Sequence, residues 1–418
     1  MGRQDLSPVY MDAAGTPTRF QCSNDDMNVS QITRRGLFGV ASGVAAQLWA
    51  GVSKDSAGVN LRRVPEGALQ PQIAVDESGG VHLVYFRGDD MAGDLFYARS
   101  RDGGENFSTP LRANSHSGSA IAAGNIRGAH IALGRRGRVH VAWNGSKDAE
   151  PKGPSGQNPM LYTRLTESGE KFEPERNLIR SAYGLDGGGA LAASQDGSIY
   201  VFWHAPELGE KGEDHRRIWV SQSRDDGATF SGETIASTKP TGACGCCGMG
   251  AIADQHGNVY ALYRSAFETV HRDMYLLSSK DRGQTFGQKL VDPWQVGYCV
   301  MSTQAFAAGA DDVLTAWETQ GQVYFGRIDS KSGNVAQPIP APGVANGRKH
   351  PVLATNHSGE TLLAWTEGMS WKKGGSLAWQ VFDQNGRLKA EKGEAPGVPA
   401  FSLIAAYARR DGGFTIVY

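Results

Sequence analysis

Ser100-Arg101-Asp102-Gly103-Gly104-Glu105-Asn106-Phe107 is the stretch on which the fold turns, because the chain repeats it. Ser223-Arg224-Asp225-Asp226-Gly227-Ala228-Thr229-Phe230 and Ser279-Lys280-Asp281-Arg282-Gly283-Gln284-Thr285-Phe286 follow the same pattern, S-x-D-x-G-x-x-F. Thr166 to Phe172 is a decayed copy. The pattern specifies a turn. The Ser and Asp oxygens accept backbone N–H bonds, the Gly takes a positive φ, and the Phe packs inward.

Each copy sits inside a longer unit. Pro71 to Val75 is an apolar strand, Gly79-Gly80 a turn, and Val81 to Tyr85 a second, alternating strand with an aromatic end. The same shape recurs with aromatic ends at Trp143, Trp203, Tyr263, Trp317, Trp365 and Tyr418, at intervals of 58, 60, 60, 54, 48 and 53 residues. A polar loop, a third strand such as Leu95-Phe96-Tyr97-Ala98 or Ile218-Trp219-Val220-Ser221, and a fourth complete each of the first six units. Four short strands per unit of about 50 residues make the blade of a β-propeller. The expected fold is all-β with seven blades, with six and an irregular closure as the alternative. The last unit stops after two strands. Val59 to Val64 resembles the fourth strands elsewhere and is expected to complete that blade.

Composition agrees. The chain has 418 residues and a net charge of −1, which gives no electrostatic footprint for nucleic acid. Its 55 glycines lack a collagen period, and 9 Trp, 13 Tyr and 15 Phe exclude wholesale disorder. Five cysteines are too few for a disulfide scaffold.

The chain divides into 1–57 and 58–418. In the first part, Thr33-Arg34-Arg35-Gly36-Leu37-Phe38 sets paired arginines before an uncharged, Gly/Ala-rich stretch from Gly36 to Val52. That stretch is short and weak for a membrane span. It reads as a twin-arginine export signal, so the export machinery is an expected partner of the precursor. The expected destination is a bacterial periplasm or the cell exterior, with no membrane span in the mature form. Translation is expected to begin at Met27, which would leave Cys22 out of the mature protein.

The repeated turn resembles the Asp-box, or BNR repeat, of the sialidase (neuraminidase) family, and the resemblance covers about residues 60–418. It implies a sialidase-like propeller whose turns lie on the face away from the ligand. The resemblance further implies an exo-glycosidase with a Tyr nucleophile, a Glu partner, an Asp acid/base and carboxylate-binding arginines. Carried onto this chain, these are Tyr298, Glu268, and Asp89 or Asp90. The arginines are Arg63, in a loose echo of the family's first arginine segment, then Arg87, Arg127, Arg264 and Arg348. Trp371 is an aromatic for stacking on a sugar ring. The expected ligand is a glycan or small anionic sugar, bound by the loops after each second strand and those between blades.

A second constellation has no counterpart in that family's chemistry. Cys244-Gly245-Cys246-Cys247-Gly248-Met249 leads into the fourth blade and Cys299-Val300-Met301 into the fifth. Ring geometry should gather these sulfurs on one face. Disulfides, with a bridge from Cys246 or Cys247 to Cys299, are one reading. A soft metal, Cu(I), held by thiolates and the two thioethers is another. A catalytic redox pair is the third. The function is therefore sialidase-type hydrolysis or glycan binding, a periplasmic copper or redox protein, or a non-catalytic interaction module.

Overall fold

The computed structural model describes residues 58–418, except 269, 310, 311 and 346, together with the backbone of the strands Val9–Met11, Pro17–Arg19 and Ser53–Ser56. The expected export signal, Met27 and Cys22 lie outside the described residues. No helix among the described residues is long and apolar enough to cross a membrane.

Seven four-stranded sheets follow one another around a ring. The first blade is Ala68–Val75, Val81–Asp89, Ala92–Ser100 and Leu111–Arg112, paired antiparallel in that order. The aromatics that end the second strands are core. Tyr85, Trp143, Trp203 and Trp317 are fully buried, and Tyr263, Trp365 and Tyr418 nearly so. Burying each such side chain contributes about 1.5–3 kcal/mol, so the repeat is a packing repeat before it is anything else.

The ring closes through the N-terminal segment. Val59–Arg62 pairs in parallel with Phe414–Val417, the last strand of the chain, and Ser53–Ser56 pairs outside it. The expectation that Val59–Val64 would be the fourth strand is thus corrected to the third position. It runs in the direction of a fourth strand, because it must leave from the same face as any blade-to-blade connection. Arg62 and Val64 lock it there, through Tyr418 N–H to the Arg62 carbonyl at 3.0 Å and Val64 N–H to the Tyr418 carbonyl at 3.0 Å.

The repeated turns behave as their residues require. In the first, Gly104 N–H donates to Ser100 Oγ at 2.8 Å and Asn106 N–H to Asp102 Oδ1 at 2.9 Å. Gly227 and Gly283 repeat the bond to Ser223 and Ser279 at 2.8 and 2.7 Å. Gly227 has φ +78°, and a Cβ there would lie 1.7 Å from Tyr162 Oη of the neighbouring blade. The turn therefore wedges between blades as well as reversing the chain.

The first strands of the blades line a central cavity of about 980 Å³, with Ile73, Ile131, Ala192, Ala251, Leu353 and Ala406 on its wall. The repeated turns stand at one end of the ring and the cysteine loop at the other, since strand direction alternates. Gly248 and Met249, which follow the cysteines directly, are themselves part of the cavity wall.

Candidate functional site: a sulfur cluster at the mouth of the propeller

The cysteine loop is pinned from three sides. Cys244 N–H donates to the Arg264 carbonyl at 2.9 Å, Gly245 N–H to Glu213 Oε1 at 2.9 Å, and Gly248 N–H to the Ser302 carbonyl at 3.0 Å. A side chain between the first two cysteines would crowd the Arg216–Asp186 pair. A Cβ on Gly245 would meet Arg216 Nη1 at 2.2 Å and Asp186 Oδ2 at 2.4 Å.

This tight loop brings Cys244 Sγ to 2.9 Å from Cys247 Sγ and 3.3 Å from Cys246 Sγ. All three sulfurs lie within 4.8 Å of one another. Cys244 and Cys247 are buried, Cys246 is partly buried, and all three are free thiols. They pack with Ala266, Trp294 and Val300. The trio has the donor set and spacing to hold a metal ion.

One expectation about sulfur is corrected here. Cys244, Cys246 and Cys247 are all free thiols, so the expected bridge from Cys246 or Cys247 to Cys299 is absent. The thioethers have packing roles of their own. Met249 is buried in the apolar core shared by the third and fourth blades, and Met301 lines a small hollow with Met369, Lys349, His350 and Trp371. The physical reason is length. Three cysteines inside four residues can share one point without help from the next blade.

Charge surrounds the cluster. Arg272 Nη2 pairs with Glu213 Oε2 at 2.9 Å, and Arg264 Nη2 lies 3.5 Å from Glu318 Oε2. Arg216 bridges Glu213 and Asp186 at 3.3 and 3.2 Å, and Arg127 joins the same Asp186 at 3.1 Å. Lys349 Nζ donates to the Val300 carbonyl at 2.6 Å. Burial alone would raise the Cys247 thiol. Hydrogen bonds from Cys244 and Cys246 and the charges of Arg264 and Arg272 hold it well below its ordinary value. Burial and the neighbouring sulfurs push Cys244 up.

The expected arginines are dispersed. Arg63 donates to the Gly397 and Pro396 carbonyls and lies over Tyr418. Arg87 is exposed near the end of the first blade's second strand. Arg264 is fully buried against Trp294 and donates to the Arg272 carbonyl. Arg348 is held by Glu367, Gln322 and two carbonyls over Trp365. Each of these buried or tethered guanidiniums has partners of its own, so a shared carboxylate pocket is not assembled from them.

The other expected residues are scattered along the same rim. Tyr298 is 48% exposed and meets Trp294 edge-on. Glu268 is exposed, 4.0 Å from His271. Asp89 caps its own turn through Met91 N–H at 2.9 Å, and the Asp90 carbonyl accepts Ala122 and Ala123 N–H bonds. Trp371 is 45% exposed and packs edge-on against Phe401.

Sequence reasoning missed Glu213, Arg272, Lys349 and His204, which surround the trio. The strand Ile199–Pro206 buries His204. Alternation contained the signal, because His204 shares parity with Tyr200 and Phe202, whose side chains pack toward the fourth blade.

No family model matches the sequence, and no curated protein does. Solved structures do. A protein of unknown function from Dyadobacter fermentans is 14% identical, with 72% of this chain and 91% of that one covered, at a TM-score of 0.50. The Hadza microbial sialidase Hz136 is 13% identical over 76% of this chain and 66% of that one, at 0.50. A Penicillium chrysogenum α-L-arabinanase is 13% identical over 77% and 95%, also at 0.50. At such identities the likeness concerns the fold: this chain is a seven-bladed β-propeller resembling the sialidase-like propellers.

Proposed function

We propose that this protein binds a thiophilic metal ion, Cu(I) foremost, through Cys244, Cys246 and Cys247 at the mouth of the propeller. The observation that carries this reading is the convergence of three free sulfurs within 4.8 Å in a buried loop. Thiolate donors select Cu(I) among the common ions, and the Arg264, Arg272 and Lys349 cations favour deprotonated sulfur. Reduced protein titrated anaerobically with Cu(I) against a chromogenic chelator should take up one equivalent. Cys246→Ser and Cys247→Ser should each lose it. Equal uptake by a variant lacking all three thiols would refute the reading.

A second reading, glycan interaction at the same mouth, rests on one juxtaposition. A point at the Gly124 Cβ position lies 2.7 Å from Arg127 Nη1 and 3.0 Å from Trp371 Cζ3. An exposed indole beside a guanidinium is a platform for a sugar ring carrying an anion. The hydrolytic form of this reading assigns Tyr298, Glu268 and Asp89 or Asp90 to sialidase-type chemistry. Turnover of a fluorogenic sialoside by wild type and its loss in Tyr298→Phe would support it. No turnover and no binding of sialosides, with Trp371→Ala indistinguishable from wild type, would remove it.

We further propose export of the folded protein by the twin-arginine route. Arg34→Lys with Arg35→Lys should retain the precursor in the cytoplasm on cell fractionation.

A further inference from the structure

His204 is a buried side chain for which the protein supplies no partner. It is 1% exposed, and neither Nδ1 nor Nε2 has a hydrogen bond. Buried polar atoms are nearly always paired, and a ring with both nitrogens orphaned implies a missing ligand or solvent. Two other buried histidines of second strands are served: His82 and His140 each reach a tyrosine hydroxyl, at 2.8 and 2.7 Å.

The position of His204 says what that ligand is. Its strand parity turns it toward the fourth blade, whose entry loop carries the cysteines. Between ring and loop lies Gly188, with φ +68°. A single point at the Gly188 Cβ position is 2.6 Å from the Cys247 carbonyl oxygen and 3.3 Å from His204 Nε2. The absence of a side chain at Gly188 is what lets the imidazole face the loop. An imidazole nitrogen is the commonest protein ligand for a metal ion.

We propose that His204 Nε2 is the fourth ligand of the metal site, completing a three-sulfur, one-nitrogen sphere with Cys244, Cys246 and Cys247. The proposal rests on the metal-binding reading above and adds a donor from the neighbouring blade. Among the described residues, the three thiols alone form a group within 4.8 Å. Four-coordinate binding would therefore require ring and loop to close together across Gly188, tying the third blade to the fourth.

X-ray absorption at the copper edge of Cu(I)-loaded protein tests the sphere. Wild type should give three sulfur scatterers and one imidazole nitrogen, whereas His204→Gln should give sulfur alone. Affinity in that variant should fall at least about tenfold, the loss that even outer partners of a metal site produce. His350→Gln, a buried histidine whose Nδ1 lies 3.2 Å from Thr303 Oγ1, should leave the nitrogen signal unchanged. Should His204→Gln fold poorly, ¹⁵N-histidine-labelled wild type provides the same answer, because diamagnetic Cu(I) must shift the His204 ring nitrogens. A wild-type sphere of sulfur only, with His204 nitrogens unmoved, overturns this proposal and leaves the thiolate site standing. Absence of thiol-dependent binding overturns both.

Discussion

Cys244 and Cys247 hold their sulfurs 2.9 Å apart across one turn of chain, with Gly245 and Cys246 between them. That separation places two thiols in line for one another whenever no metal occupies them. Diamide should therefore oxidise the metal-free protein at this pair. Each thiol gives up a hydrogen, the sulfurs bond, and the diazene is reduced to a hydrazine. Thiol titration should show the reduced protein losing two thiols and keeping Cys246. Loading with Cu(I) first should block the loss, and an unchanged thiol count in metal-free protein would contradict the geometry.

The repeated turn predicts a contrast between two glycines of similar backbone. Gly103 has φ +74° with open space where a methyl would stand, whereas a methyl on Gly227 runs into the hydroxyl of buried Tyr162. Gly103→Ala should cost about 1 kcal/mol from backbone strain alone. Gly227→Ala adds overpacking and should cost about 2–4 kcal/mol. Urea midpoints of the two variants give the comparison.

Ring closure depends on a short strand far from its partner in sequence. Leu61 is buried in the closing blade and pairs with Ile416. Leu61→Ala should destabilise by about 2–4 kcal/mol, as a core truncation does. Limited proteolysis should then cut first next to this segment. Wild-type stability in the variant would mean that the closing strand carries no load.

Acid should act in two stages. His140 and His350 are buried and held below the ordinary histidine value, His350 down to about 3. Below about pH 6.5 the unfolded chain takes up protons on these residues and the folded chain does not, so stability falls as pH falls. Carboxylates add the second stage. Hydrogen bonds from Asn106 hold Asp102 at about 2. Burial would raise Asp225 and Asp281, but hydrogen bonds from Thr229 and Thr285 bring both down to about 2 as well. Their contribution is present above about pH 4 and is lost as pH falls through about 2. The melting temperature should decline from pH 7 to 5 and steepen below 4. A flat profile from pH 7 to 4 would contradict the burial of the histidines.

Much of the architecture could be read directly. The spacing of Tyr85, Trp143, Trp203, Tyr263, Trp317, Trp365 and Tyr418 marks one blade each, because each sheet needs one large side chain at the same depth in its core. The cysteine loop could be read as a sulfur site for a similar reason, since Gly245 and Gly248 let a four-residue segment fold onto itself. The arginines were misleading. Arg264 and Arg348 stand at the ends of strands that face the mouth, yet both turn into buried contacts with Glu318 and Glu367. A guanidinium near a sheet end pairs with whatever carboxylate the adjoining strand presents, and that pairing is not written in spacing.

Order along the chain thus determined the blades and the local turn chemistry, because strand periodicity and turn residues act over a few positions. Only the closed ring decided which side chains meet. His204 faces Cys247 across Gly188, and Val59–Arg62 lies beside Phe414–Val417, through contacts between residues that chain distance alone does not relate. Those contacts are set by how neighbouring sheets twist and pack, a property of the assembled ring.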